Sequence, residues 1–241
     1  MYTTHARVGA SQTDTNGQLK LVSALDIMQD CDFFWMESEQ EFTNHLIDNG
    51  LGMFIMSRQI DILRLPHYGE HVSATTYIYE CRGFLGLRNT ALYDEAGETC
   101  VRTYGVGAFV NHATGLMTRL PKDVSAAVTI DPKIDMPYLD RRIYLPEQDM
   151  ELLGEIHVRA YDIDVNHHMN NARYLEAVMD GLPQDYPFDR VRIEYKKAAK
   201  LGDVLHVGRI MAEDGMCYLQ LSDAEHTPYT VFEFSTMKEG E

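Results

Sequence analysis

Cysteine is scarce. Cys31, Cys81, Cys100 and Cys217 are scattered over 241 residues without a Cys-x-x-Cys pair, which excludes a dense disulfide framework and a thiolate metal site of that spacing. Thiols spread in this way fit reduced cysteines, and a cytoplasmic location is expected. Long apolar runs are also missing. No stretch approaches the roughly 20 residues that cross a bilayer. The start, Met1-Tyr2-Thr3-Thr4-His5-Ala6-Arg7, has no apolar core of a secretory leader. Positive charge is short, with 21 Lys and Arg against 37 Asp and Glu, a net −16. That balance argues against nucleic acid or an anionic membrane as partner. Apolar residues are not scarce: at 45% they reach an ordinary globular share, and the chain is long enough for one large domain or two small ones.

The most informative stretch is Tyr161-Asp162-Ile163-Asp164-Val165-Asn166-His167-His168-Met169-Asn170-Asn171. Before it, Ile156 to Tyr161 alternates as a half-buried strand does. After it, Met169, Ala172, Leu175, Met179 and Leu182 recur at helical spacing. Asp and Asn suit a helix start, where free N–H groups and the dipole favour negative charge. A carboxylate, a carboxamide, an imidazole and a helix N-terminus are therefore expected together. A calcium loop is excluded, because counting from Asp162 the required Gly and Glu positions hold His167 and Arg173. Adjacent His167 and His168 point in different directions, and no cysteine is near in sequence, so zinc is not expected either.

The same order occurs earlier. A strand over residues 6–12 leads to Thr13-Asp14-Thr15-Asn16-Gly17-Gln18-Leu19, and then Leu21, Leu25, Met28, Cys31 and Trp35 mark a helix face. Asp14, Asn16, Leu25 and Asp30 match Asp164, Asn166, Leu175 and Asp180 at one offset of 150, which points to a duplicated unit. Strands are expected over 53–65, 71–82, 86–93 and 98–111 in the first copy. In the second they are expected over 190–199, 204–213, 216–221 and 229–237. One helix followed by a run of strands gives an α+β class. Residues 118–153 hold Pro121, Pro132, Pro137 and Pro146 and little apolar periodicity, and are expected to be a linker, in which Ile143-Tyr144-Leu145 offers an apolar stretch that could pack on a domain surface. The domains so expected are 1–117 and 154–241.

Asp162 to Leu175 resembles the signature of the acyl-acyl-carrier-protein (acyl-ACP) thioesterases, in which Asp-x-Asn-x-His is followed by Asn-Asn and Tyr. Met56-Ser57-Arg58-Gln59-Ile60-Asp61-Ile62 with Pro66 and Gly69 is similar to that family's N-terminal half. The resemblance implies two tandem hotdog domains, each a long helix wrapped by an antiparallel sheet, with catalysis in the second. It implies Asp164, Asn166 and His168 as catalytic residues, an acyl carrier protein bearing a fatty acyl chain as partner, and neither metal nor cofactor. The family's catalytic Glu falls on Ala198, and a neighbouring Cys of plant members on Ala199. Glu176 is the candidate substitute acid.

Thioester hydrolysis needs a water nucleophile, a proton acceptor and oxyanion donors. His168 suits proton transfer, since imidazole titrates nearest neutrality. Asp164 would orient and polarise it or itself assist the water, Asn166 would bond the thioester oxygen or hold the water, and amides at the helix start would help bind the oxyanion. In the first copy Gln18 stands where His168 stands, so that half is expected to bound an acyl pocket, with Met28, Phe33, Phe34, Trp35, Met53 and Phe54 as candidate lining. The densest basic group, Arg190, Arg192, Lys196, Lys197 and Lys200, is the candidate docking patch for an acidic carrier, and Arg141 and Arg142 form a second group. An acyl-coenzyme A thioesterase and a non-catalytic acyl binder remain open, as do chain-length preference and pairing into a homodimer.

Overall fold

A computed structural model describes residues 1–238. The chain divides into two compact units, Met1–Tyr138 and Leu139–Glu241; residues 239–241, the end of the domain expected over 154–241, lie outside the described residues. In the first unit, β1 (Tyr2–Arg7), β2 (Leu51–Ile62), β3 (His71–Arg82), β4 (Leu85–Asp94) and β5 (Thr99–Asn111) pair antiparallel in the order β1-β3-β4-β5-β2. The helix α1 (Leu21–Ser38) packs on β1, β3 and β4. Its spaced residues Leu21, Leu25, Met28, Cys31 and Trp35 are all buried, each large one contributing about 1.5–3 kcal/mol by leaving water.

Two elements of this unit differ from the sequence expectation. The strand expected at 6–12 is β1, ending at Arg7, and Ala10–Gln12 is a 3-10 turn closed by the Gly9 N–H on Gln12 Oε1. A second helix, α2 (Gln40–Asp48), follows α1 and buries Phe42 and Leu46. These join Trp35, Ile78, Phe109, Leu120 and Val128 in one apolar cluster.

The second unit repeats the plan with β6 (Glu151–His157), α4 (Asn171–Met179), β7 (Arg190–Tyr195), β8 (Val204–Met211), β9 (Cys217–Ser222) and β10 (Pro228–Ser235). Its strands run antiparallel in the order β7-β10-β9-β8-β6. Phe232 and Phe234 stack at 6.2 Å between ring centroids inside its core. β6 lies earlier than the expected 156–161 and is largely exposed. The buried face of α4 is Ala172, Tyr174, Leu175 and Val178, with Met179 only half-buried.

The segment read as a linker is folded chain. Its first part carries α3 (Lys122–Ala127) and buries Leu120, Val128 and Met136 in the first unit. There Tyr138 donates to Asn89 Oδ1 at 2.8 Å, and Gln59 Nε2 donates to the Pro137 carbonyl at 2.9 Å. The later part belongs to the second unit. Ile143 packs there on Ile210, Tyr218 and Val231, while Tyr144 stays exposed.

Candidate active site

The signature loop of the second unit is a tight turn ahead of α4. Ile163 and Met169 face each other as a β-bridge. Between them the Asp164 N–H donates to the His168 carbonyl at 2.8 Å, and the His167 N–H to the Asp164 carbonyl at 3.0 Å. Asp164 Oδ1 accepts the Asn166 N–H at 2.8 Å and the His168 N–H at 3.4 Å. Asn166 Nδ2 lies 3.5 Å from Asp164 Oδ2. The loop therefore gathers the three residues: Asp164 and His168 half-buried, Asn166 exposed.

Asp164 and Asn166 do not cap α4, as sequence reasoning expected. Asn170 is the cap, its Oδ1 accepting the Ala172 N–H at 2.9 Å. The Arg173 N–H is likewise spent on the Asn170 carbonyl. Two of the amides expected at an oxyanion are thus already in use. Upstream, the buried Asp162 closes the 3-10 turn Ala160–Asp162 by accepting the Arg159 N–H at 2.8 Å, and it pairs with the Arg159 guanidinium. Burial pushes its carboxyl up, but the Arg159 amide and guanidinium outweigh it and hold the group below the usual carboxylate range.

Downstream, the loop is tied to the segment after β7, which ends at Tyr195 and not at the expected 199. The Met169 N–H donates to the Ala199 carbonyl at 2.8 Å, and the Ala199 N–H donates to Tyr174 Oη at 2.7 Å. Burial pushes the Tyr174 phenol up, so it stays protonated. Its ring meets Tyr195 edge-on at 5.7 Å. Tyr174 is thus a neighbour of the candidate site, through Ala199, that the helical pattern alone did not single out. Its signal was its place in the signature.

The first unit builds the same loop. Asp14 Oδ1 accepts the Asn16 and Gln18 N–H groups at 2.8 and 2.9 Å, the Asp14 N–H donates to the Gln18 carbonyl, and Thr13 and Leu19 form the bridge. The Leu19 N–H donates to the Pro66 carbonyl at 2.7 Å, as Met169 does to Ala199. Gly17 sits at φ 76° and its counterpart His167 at φ 60°. The scaffold is shared; the imidazole at 168 and the Tyr174–Ala199 bond belong to the second unit.

The remaining sequence candidates are less concentrated. Ala198 is exposed. Glu176 lies on the exposed face of α4, with its carboxylate on the Arg173 guanidinium. In the basic group, Arg190 is buried. Arg192 pairs with Glu233 at 2.9 Å and donates to the carbonyls of Asp140 and Arg142, so it fixes the 140–142 chain. Lys196 pairs with Glu194, and Lys197 with Asp223 while lying over the Tyr229 ring; Lys200 is exposed. Of the lining candidates, Met28 and Trp35 are core, Phe33 and Phe34 are exposed, and Met53 and Phe54 are half-buried. No group of metal-binding side chains occurs among the described residues.

Profiles of two protein domains match this chain in succession. That of the acyl-ACP thioesterase N-terminal domain covers residues 1–128, and that of the acyl-ACP thioesterase C-terminal domain covers 146–231. The chain belongs to the acyl-ACP thioesterase family. Among family members, a chloroplastic acyl-acyl-carrier-protein hydrolase, FATB1 of Cuphea viscosissima, is 25% identical over 175 residues, which is 68% of this chain and 41% of that protein. The chain thus matches about two fifths of the length of that plant relative. Two solved structures share the fold. An acyl-ACP thioesterase from Bacteroides thetaiotaomicron superposes with a TM-score of 0.85 at 18% identity, over 96% of both chains. A 12:0-ACP thioesterase from Umbellularia californica gives 0.82 at 16% identity, over 97% of this chain and 96% of that one. The tandem α+β hotdog architecture of this acyl-ACP thioesterase family member agrees with both.

Proposed function

We propose that the chain hydrolyses the thioester of an acyl-acyl carrier protein, releasing a free fatty acid and the carrier thiol, with the second unit as the catalytic half. The observation that carries this reading is the loop of family signature residues in the second unit, where Asp164, Asn166 and His168 share one turn held by the Asp164 carboxylate. His168 accepts the proton of the attacking water and returns it to the departing thiol. Asp164 holds the backbone that presents the imidazole. Asn166, exposed at the tip, donates its amide to the thioester oxygen. The first unit, with Gln18 at the corresponding place, has no group for the proton and serves the acyl chain. The cytoplasm is the compartment of this reading, supported by four cysteines none of which is in a disulfide.

The test is thiol release from acyl-carrier and acyl-coenzyme A thioesters across chain lengths. His168→Ala is expected to slow turnover roughly 100-fold or more; full turnover in that variant would remove His168 from the mechanism. Faster release from coenzyme A thioesters would move the substrate to that class. A non-catalytic acyl binder is favoured by one observation, the exposed Ala198 where the family signature places a Glu. Tight binding of acyl thioester with no thiol released by the wild type would establish it.

A further inference from the structure

The helix–sheet layer of the first unit contains a buried ionic cluster that the proposed chemistry does not use. Asp32, on the buried face of α1, accepts from Thr76 Oγ1 at 2.6 Å and Thr90 Oγ1 at 2.7 Å through Oδ1, which also lies 3.0 Å from Arg88 Nη1. Its Oδ2 accepts from Arg58 Nη2 at 3.2 Å. Arg88 also donates to the Asp32 carbonyl and lies 4.5 Å over the ring of Trp35, the single tryptophan of the chain. One carboxylate thus faces two guanidinium groups, leaving a surplus positive charge. Asp61, the other buried acid of this unit, pairs instead with Arg102 at 3.4 Å.

Several polar atoms here are unspent. Arg58 Nε, Trp35 Nε1 and Gln29 Oε1 are buried without a hydrogen-bond partner, on residues only 5%, 0% and 9% exposed. Gln29, Asp32 and Trp35 lie three residues apart on one stripe of α1. The cluster is not sealed: the Asp32 and Arg88 side chains keep 11% and 10% of their surface. The fold does not require these charges. In the second unit, the strand positions matching Arg58, Arg88 and Thr90 are the fully buried apolar residues Val191, Cys217 and Leu219. Buried ions are a poor source of stability compared with such a core, so their retention in one copy calls for a ligand.

We propose that the Asp32–Arg58–Arg88 cluster is a binding site for a carboxylate. A carboxylate cancels the surplus charge and accepts from the unspent Arg58 Nε–H, and guanidinium is the side chain best matched to that geometry. Two sources share this chemistry: a free fatty acid, and the far-end carboxylate of a dicarboxylic acyl group. The second source rests on the thioesterase reading; binding itself does not.

Trp35 reports the site without turnover. Titrating the full chain with octanoate is expected to change its emission saturably, while octan-1-ol does not. Arg58→Met should weaken the octanoate response about tenfold or more, and Arg58→Lys, which keeps the charge, should weaken it less, with thermal melts confirming that each variant is folded. Octanoate that also slows thiol release identifies the free acid as occupant. Faster release from a monothioester of octanedioic acid than from an octanoyl thioester identifies the acyl-borne one. An emission change absent with octanoate, equal with the alcohol, or unaltered by Arg58→Met overturns the site. Such a result leaves the thiol-release test of the proposed function untouched.

Discussion

His167 occupies a left-handed backbone conformation, φ 60°, that its counterpart Gly17 adopts without a side chain to clash. Histidine is among the residues that tolerate this region, alanine is not. His167→Gly is therefore expected to be more stable than His167→Ala by about 1 kcal/mol in denaturant unfolding. His167→Gly should also keep thiol release, because the exposed imidazole at 167 is a turn residue and only the one at 168 is assigned to proton transfer. Asp164 and Asp14 make a sharper pair. Each carboxylate holds two backbone amides, so alanine at either place should lower stability by about 1 kcal/mol. Thiol release should collapse only for Asp164→Ala; equal losses of activity would make both loops merely structural. That Asp164, Asn166 and His168 would lie together in one loop was legible in the sequence, since Asp-x-Asn-x-His is a local pattern. That Asp164 binds the turn rather than caps α4 was not, because Asp164 and Asn170 are equally good caps and only the chain path decides between them.

At the scale of elements, the long strands of the first unit were readable to within a few residues: of the β-branched and aromatic residues that marked β3, Val72, Thr76, Tyr77, Ile78 and Tyr79 are buried and Thr75 is half-buried. β6 was misplaced because its exposed face carries little apolar alternation. The helix α2 escaped notice because only Phe42 and Leu46 face inward among polar neighbours. Contacts between elements were invisible, and the Tyr174 tie to Ala199 is one. Tyr174→Phe leaves the buried Ala199 N–H without its acceptor and should cost about 1–3 kcal/mol. Ala199→Pro removes that donor, as Pro66 does in the first unit, so the double variant should recover much of the loss in a double-mutant cycle. The turn Ala160–Asp162 adds a pH term. The Asp162 carboxyl is held below its usual range in the folded chain. Its contribution is therefore complete above about pH 4 and is lost as pH falls through the lowered folded value. Asp162→Asn should melt at a lower temperature than wild type near neutrality, and the gap should narrow in acid.

Over the whole molecule, the offset of 150 between Asp14 and Asp164 announced two copies of one plan, and both units carry it, down to the carbonyl that receives the residue after each loop. What composition could not give was the pairing of charges. A net −16 made the lysines near β7 stand out, yet Lys196 and Lys197 each face an acid. Both lysine side chains nonetheless keep a third or more of their surface, 35% and 47%, so the docking role expected of them from the sequence still has a measurable signature. Reversing both to Glu should raise KM for carrier-bound acyl substrate more than for the coenzyme A thioester. Equal effects on the two substrates would reject the patch.

Because the Asp14 loop keeps every backbone bond of its twin around a carboxamide, nature has already performed one substitution on this scaffold. His168→Gln should inherit an intact turn, so silence from that variant would speak of missing chemistry, free of the usual suspicion that the protein had come apart.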